Sequence, residues 1–253
     1  MEQGNNYLIE VEICSEAIFT SGEKEGNLVQ SRAQTDDHGF VYFHAKTLKG
    51  QLKRQAFWLL KQYAAMDLSG DKVSAPNFYE SIVKLFGINK EEKGLIATKY
   101  GLHYSGKGQA PGLMKLSNLE LDEKLREYFI AQQKIDEKEG YFRISPHDLI
   151  EAQTHIRTGI QLEDGVAKNK MLNTFHTVRK GLKFYSKVSF DEEVNNTLIK
   201  DFAQIVYSFR RIGAGIHRGR GEIKAKLLVG EGKVPYDQLR DQGGGENVPL
   251  QNY

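Results

Sequence analysis

The sequence predicts an α+β fold, on the evidence of two kinds of periodicity. Apolar and polar residues alternate over 7–13 and over 223–229, the pattern of a strand with one buried face. Apolar residues recur every three or four positions over 48–63 and 194–209, which is typical of amphipathic helices. With 253 residues, 40% of them hydrophobic, the chain can bury a sizeable core as one large domain or two small ones.

The remaining elements follow in chain order. After the first strand, residues 20–39 form a loop, and 40–43 is a short β-prone run before the first long helix, for which Thr47 is a candidate N-cap. Residues 67–140 contain many helix breakers and are expected to form a loop-rich insertion, with a helix over 78–86, a weak strand over 113–119 and a charged helix over 121–138.

The second half of the chain turns to strand patterns. Strands over 154–160, 171–178 and 182–190 predict a projecting hairpin over about 150–190, with Arg157 near its tip. Ser189 and Glu192 are expected to form the capping box of the second long helix. We treat 1–229 as a single domain and expect a mobile tail over 230–253.

Composition excludes several classes of protein. The 35 basic and 33 acidic residues give a net charge of +2, so affinity for nucleic acid must come from local clustering. A single cysteine excludes an internal disulfide framework and a cysteine-based zinc site. The sequence has no apolar run of membrane-spanning length, so we expect a soluble, cytoplasmic protein with no membrane partner.

The strongest chemical signal is RRIGAGIHRGRG at 210–221, which holds four glycines and four arginines. Glycines expose backbone N–H groups and allow phosphate to approach, and arginines add permanently charged bidentate donors. The spacing matches neither a dinucleotide fingerprint nor a P-loop, and the alternative is a flexible, solvated connection. The candidate phosphate ligands are Arg210, Arg211, Gly213, Gly215, His217, Arg218, Gly219 and Arg220.

A second group of cations lies at the start of the first long helix and comprises Lys46, Lys49, Lys53 and Arg54. Cations at a helix N-terminus oppose the macrodipole, so an anionic partner is expected to offset them. The alternative is an ordinary solvated face. Arg157 on the projecting hairpin is a further candidate for contact with RNA, or else part of a solvated loop.

Four motifs in order resemble the RAMP superfamily of CRISPR proteins. They are the LKG of AKTLKGQLKRQA, the LFG of KLFGINKEEKG, the glycine-rich GAGIHRGRG, and HIRTGIQLEDGVAKNKMLNTFHTV, which is similar to the thumb of backbone subunits. The resemblance is closest to backbone-type subunits of type III effector complexes. It implies a ferredoxin-like (RRM-like) palm with insertions and a β-hairpin thumb, in which the first and last strands pair.

The resemblance also implies a function in antiviral defence. Such subunits stack along a guide RNA, hold complementary target RNA and contact other RAMP subunits. The LKG turn and the glycine-rich loop would contact guide phosphates from two sides, which positions RNA without reading its sequence. Tyr42, Phe43 and His44 lie near this grip as candidates for base stacking, although core positions are the alternative for them.

Cleaving members of the family use an acidic residue and a divalent metal between the first strand and the LKG turn. Asp36 and Asp37 are the candidates here. Aligned on Gly39 and LKG, however, the family's aspartate falls at 27–30, where this chain has no acid, so the pair is expected to act in a turn. We therefore expect a subunit that holds RNA without a cofactor, with Mg²⁺ or another divalent ion needed only if it cuts.

Two further functions stay open. One is a guide-processing ribonuclease that uses histidine acid–base chemistry without metal. Its candidate residues are His38, His155, His176 and His217. The other is a general RNA-binding module outside CRISPR defence.

Overall fold

An antiparallel β-sheet with helices packed against it organises the chain. The computed structural model describes residues 7–20, 31–69, 74–104, 110–140, 143–163, 166–230 and 233–238. Its strands are β1 (Tyr7–Ile13), β2 (Gly87–Ile88), β3 (Ala110–Pro111), β4 (Met114–Leu116), β5 (Glu120–Leu121), β6 (Thr154–Glu163), β7 (Val166–Val178), β8 (Lys183–Phe190), β9 (Ile223–Val229) and β10 (Val234–Pro235). Its α-helices are α1 (Ala45–Ser69), α2 (Ala75–Phe86), α3 (Lys90–Tyr100), α4 (Glu123–Glu139), α5 (Pro146–Gln153) and α6 (Asn196–Ser208).

The main sheet has the order β10-β9-β1-β8-β4, with β5 pairing β8 beyond this path. The central strand β1 pairs antiparallel with β9 on one side and with β8 on the other, for example Ile9 with Leu227 and with Ser186. The apolar residues whose alternation predicted β1 and β9 lie on the buried face of the sheet: Ile9, Val11 and Leu227 are fully buried. The predicted pairing of the first strand with the strand after the glycine-rich loop is confirmed.

Helices α1, α2 and α6 complete the core. Leu48, Leu52 and Leu60 of α1 are fully buried, and each such side chain contributes about 1.5–3 kcal/mol of transfer free energy. The helix begins at Ala45, so Thr47 lies inside its first turn and is not the N-cap. The predicted Ser189–Glu192 capping box is also wrong: Ser189 still belongs to β8, and the N-cap of α6 is Asn195.

The region 67–140 is richer in structure than its helix breakers predicted. The expected helix and strand are present as α2 and β4, and the charged helix as α4. Helix α3 was missed because its apolar stripe is weak, with Ile96 as its buried residue, although Asn89 and Glu92 form its capping box. Strand β4 joins the main sheet, so this region supplies part of the central architecture.

The projecting hairpin is shorter than predicted. It consists of β6 and β7, whereas β8 belongs to the main sheet because its alternate residues Phe184, Ser186 and Val188 are buried in the core. Arg157 pairs in register with Phe175 and lies near the base of the hairpin, not near its tip. The side chains of 160–173, which include the tip, lie outside the described residues.

The chain after residue 229 returns to the sheet. Val234 pairs with Val229, and Lys233 Nζ lies 2.7 Å from the carboxylate of Asp122. Residues 233–238 of the predicted mobile tail thus contact the sheet, while 231–232 and 239–253 lie outside the described residues. Among the helices described, none combines the length and the apolar character that crossing a bilayer requires.

Candidate nucleic-acid interface

The glycine-rich loop, 210–221, is folded against the rest of the chain. Its two ends pair with each other, since the Ile212 N–H donates to the Gly221 carbonyl at 2.8 Å. Its middle pairs with the segment after β1, since the Ala214 N–H donates to the Ile18 carbonyl at 3.0 Å. The Gly221 N–H donates to the Glu16 carbonyl at 2.8 Å. These backbone hydrogen bonds hold the loop against the rest of the chain, which argues against the alternative of a flexible, solvated connection.

The four glycines of the loop all have positive φ, but they divide into two kinds. At Gly213 and Gly221, a Cβ atom would lie 2.5 and 2.0 Å from a neighbouring backbone oxygen, so the fold itself requires glycine. Gly215 and Gly219 flank a short 3-10 turn over 216–218. A Cβ at Gly219 would meet nothing within 4 Å, and one at Gly215 would make an ordinary contact at 3.4 Å. The second pair therefore leaves its backbone open to a ligand.

The cations of the loop differ in their exposure. Arg210, Arg211, His217 and Arg218 are exposed, and Arg211 is anchored by a 2.9 Å bond from Nη1 to a carbonyl of the 3-10 turn. Arg220 is half-buried, with its guanidinium 4.6 Å from the ring centroid of Phe175 in β7. The loop thus presents an exposed set of donors that suit phosphate, and Arg220 joins the loop to the hairpin.

The cations of α1 separate in the same way. Lys46 and Arg54 are exposed. Lys49 is half-buried and donates to a carbonyl oxygen of β4 at 2.5 Å, and burial lowers its pKa. Lys53 lies 2.7 Å from the carboxylate of Glu92, which supplies the anionic partner expected for this helix start. Lys46 and Arg54 are therefore the members of this group that face solvent.

The N-terminus of α1 is partly satisfied within the chain. The Ala45 N–H donates to Asn118 Oδ1 at 3.0 Å, and the Lys46 N–H donates to His44 Nδ1 at 3.1 Å. His44 is consequently engaged at the helix start, and Phe43 is buried in the core. These bonds weaken the expectation that the helix terminus alone would bind an anion.

Gln51 joins the two predicted phosphate-binding motifs. Its side chain donates to the Gly213 carbonyl at 3.2 Å and accepts from the Gly213 N–H at 3.3 Å. The exposed Arg54 lies one helical turn further along α1, on the same side as Gln51. The start of α1 and the glycine-rich loop are therefore in direct contact, through two residues 162 positions apart in sequence. Sequence analysis missed Gln51, because nothing local marks such a contact.

Arg157 is held by an acidic residue. Its Nε lies 3.0 Å from Glu16 Oε2, and its Nη2 forms a second, short bond to the same carboxylate. The Thr177 hydroxyl also donates to Glu16 at 3.2 Å. The hydrogen bond from Arg157 lowers the pKa of Glu16, so this carboxylate remains ionised at neutral pH and offsets the charge of Arg157.

The two candidate catalytic aspartates have different surroundings. Asp36 Oδ1 accepts the N–H groups of His38 and Phe40 at 3.1 and 2.9 Å, and its Oδ2 lies 3.0 Å from a nitrogen of Arg126. Asp37 is exposed. Positions 27–30 lie outside the described residues. Across the described ranges, no group of three or more His, Cys, Asp or Glu side chains is placed to hold a metal ion.

The candidate histidines lie in three separate places. His217 is in the glycine-rich loop, and His38 Nδ1 lies 3.0 Å from Gln133 Oε1. His155 and His176 are both in the hairpin, but its register places them on opposite faces. Burial lowers the pKa of His176, which favours its neutral form. The two hairpin histidines therefore do not form an acid–base pair.

The chain is thus an α+β protein whose glycine-rich loop exposes arginine side chains. Among the solved structures with a chain of similar fold are two of the type III-B Cmr-beta complex. The cryo-EM structure of the type III-B Cmr-beta complex bound to cognate target RNA has one that aligns with a TM-score of 0.55 at 13% identity, covering 88% of this chain and 96% of that chain. A chain in the cryo-EM structure of the apo state of Cmr-beta aligns with a TM-score of 0.55 at 13% identity, covering 88% of this chain and 97% of that chain.

No family profile and no curated protein matches this sequence. At 13% identity the structural similarity shows the fold alone. The chain therefore shares its fold with a chain of the type III-B Cmr-beta complex, in agreement with the resemblance to type III CRISPR subunits that the sequence motifs indicated.

Proposed function

We propose that this protein is an RNA-binding, backbone-type subunit of a type III CRISPR ribonucleoprotein that acts in antiviral defence. It contacts the phosphates of the guide RNA and helps to hold complementary target RNA. The observation that carries the proposal is the pair of hydrogen bonds between Gln51 and Gly213, because they bring the two basic motifs into contact. The fold shared with a chain of a complex solved with target RNA supports it.

The palm of such a subunit is ferredoxin-like, and the topology supports that assignment. Strands β1, β4, β8 and β9 alternate with α1 and α6 in the chain order β-α-β-β-α-β. Their antiparallel order in the sheet is β9-β1-β8-β4, with the first and last strands of the motif side by side. The β6–β7 hairpin would be the thumb, set next to the glycine-rich loop by the contact of Arg220 with Phe175.

The chemistry of the surface favours contact with phosphates over the reading of bases. Exposed guanidinium groups and open backbone at Gly215 and Gly219 suit phosphate oxygens, which are the same in every sequence. The aromatic residues proposed near the grip are otherwise engaged: Phe43 is buried, and the Tyr42 hydroxyl accepts from Gln34 at 2.9 Å. A subunit that must accept changing guides needs this indifference to sequence.

We propose a holding role over a cutting role because of the surroundings of Asp36. Both of its carboxylate oxygens are engaged, one by the turn and the other by Arg126. A metal-dependent nuclease needs a carboxylate available to place the cation against the scissile phosphate. On this proposal RNA binding requires no cofactor, and a divalent ion such as Mg²⁺ matters only for cleavage.

The test is the salt dependence of RNA binding by the purified chain and by Arg218→Ala. One phosphate contact fewer should lower the slope of log affinity against log salt by about 0.7, equally for unrelated RNA sequences. Lys200→Ala is the matched control, because Lys200 is an exposed cation near the other end of α6 from the loop. An unchanged slope in Arg218→Ala, or an equal fall in the control, would contradict the proposal.

Membership of a complex needs a separate measurement. We expect the tagged chain to co-purify from its host with a large particle that contains other subunits and a small RNA of uniform length. Isolation with RNA of random length and without other subunits would support the general RNA-binding module instead, and isolation without RNA would contradict both.

A further inference from the structure

A cavity of about 490 Å³ lies at the base of the β6–β7 hairpin, outside the interface described above. Ionisable side chains line it, namely Glu16, His155, Arg157, Arg179 and Lys180. Two of them were singled out from the sequence, Arg157 for contact with RNA and His155 for acid–base chemistry. The arginine and lysine at 179–180 follow β7 directly, in the turn that leads to β8.

The cavity carries an excess of positive charge. Glu16 is the one carboxylate of the lining, and the bidentate contact with Arg157 engages it. Within the described chain, no carboxylate forms an ion pair with Arg179 or Lys180. Arg157, Arg179 and Lys180 against Glu16 leave an excess of two positive charges, a balance that favours an anionic ligand.

Arg179 is fixed in position without being neutralised. Its Nε donates to the Thr154 carbonyl at 3.1 Å, and its Nη2 donates to the Glu151 carbonyl at 3.0 Å. Neutral carbonyl acceptors orient the guanidinium while it keeps its full charge. A guanidinium already ordered in this way loses less conformational entropy on binding a phosphate than a mobile side chain does.

The cavity adjoins the glycine-rich loop through two connections. The backbone carbonyl of Glu16 accepts the Gly221 N–H, while the carboxylate of the same residue faces the cavity and contacts Arg157. On the hairpin, Arg157 lies opposite Phe175, on whose ring the Arg220 guanidinium rests. Cationic side chains therefore continue from the loop, past Phe175, into the cavity.

We infer that this cavity binds a backbone phosphate of the same RNA strand that the glycine-rich loop contacts, with Arg179 and Lys180 as the ligands. The inference rests on the proposed function, since it assigns a second contact to the same RNA. A phosphodiester oxygen accepts hydrogen bonds from both guanidinium and ammonium groups. Glu16 acts as a positioning residue, because it joins the loop backbone to the Arg157 side of the cavity.

The test compares the full-length chain with Lys180→Ala in binding to a short, unstructured oligouridylate over a range of salt concentrations. Lys180 is exposed and has no described hydrogen bond, so the variant should fold normally. Loss of one contact should lower the salt slope by about 0.7, which corresponds to about fourfold weaker binding at 0.15 M salt. Lys183→Ala is the matched control, an exposed lysine three residues further on that faces Glu10 at 3.7 Å.

The Arg218→Ala variant, measured in parallel, separates the two proposals. A lower slope in both Arg218→Ala and Lys180→Ala, with Lys183→Ala like wild type, supports the cavity site. A lower slope in Arg218→Ala alone overturns the cavity site and leaves the proposed function standing. An equal fall in Lys180→Ala and Lys183→Ala also overturns it, because the effect would then be one of general charge. Absence of RNA binding by the wild-type chain overturns both.

Discussion

Replacing single glycines of the loop by alanine should separate the needs of the fold from those of RNA binding. Gly219 has φ 74° and ψ 13°, and its Cβ would meet nothing within 4 Å. The cost of Gly219→Ala is therefore backbone strain of about 1–2 kcal/mol, partly offset by a less flexible unfolded chain. We expect a melting temperature lower by about 2–4 °C. RNA affinity should fall at least tenfold, because the new methyl group occupies the space left for phosphate.

Gly221→Ala should instead act mainly on the fold, with a larger loss of stability than Gly219→Ala. Its φ is 71°, but its Cβ would lie 2.0 Å from the carbonyl oxygen of Ile212, so the backbone must move. That movement breaks one or both of the hydrogen bonds that Gly221 makes to Ile212 and Glu16, each worth about 1 kcal/mol. Strain and lost bonds together amount to roughly 3 kcal/mol, or about 6–12 °C in melting temperature.

The assay combines thermal unfolding with RNA titration well below the transition. Gly101→Ala is the matched control, because Gly101 has φ 66°, equally open surroundings and a position at the end of α3. It should lose as much stability as Gly219→Ala and no RNA affinity. If Gly221→Ala is no less stable than Gly219→Ala, the close approach of Gly221 to Ile212 is contradicted. If Gly219→Ala binds RNA as wild type does, the open backbone is not a phosphate site.

Two further predictions concern acidic residues. Asp36→Ala should destabilise the chain by about 1–3 kcal/mol, because it removes two turn hydrogen bonds and a partner of Arg126, whereas exposed Asp37→Ala should be neutral within about 0.5 kcal/mol. Neither aspartate variant should abolish the cutting of labelled target RNA by the assembled complex with Mg²⁺. If one variant loses cutting while RNA binding is intact, the replaced aspartate is catalytic. Glu16→Gln should cost at most about 1 kcal/mol at pH 7, since the pair with Arg157 is partly exposed. The pKa of Glu16 is depressed below 4.5, so this difference should be complete above pH 4.5 and vanish as the pH falls through the folded pKa; a gap that persists in acid would contradict the ion pair.

The regular elements could be predicted from the sequence wherever burial is periodic. The buried alternation of β1 and β9 and the apolar stripes of α1 and α6 are local properties of the chain. Helix α3 lacks such a stripe and was missed. The end of the hairpin was misplaced because β8 has the same strand pattern as β7, and pairing with β1, a long-range contact, decides which sheet each joins. Local patterns show that a strand exists but not what it pairs with.

For the candidate site, too, the sequence shows which residues are charged but not which residues they contact. The density of basic residues located the loop and the start of α1, but density does not reveal which cations are already paired. Glu92 neutralises Lys53 from 39 positions away, and Glu16 holds Arg157 from 141 positions away.

These pairings decide how a nearly neutral chain can bind a polyanion. Glu92 and Glu16 offset the charges of Lys53 and Arg157. The cations of Arg210, Arg218 and Lys46 remain exposed. Affinity for RNA then depends on position and not on total charge, because a phosphate responds mainly to charges within about a Debye length, roughly 8–10 Å. Removing one exposed arginine should thus matter more than removing any paired lysine, although both change the net charge equally.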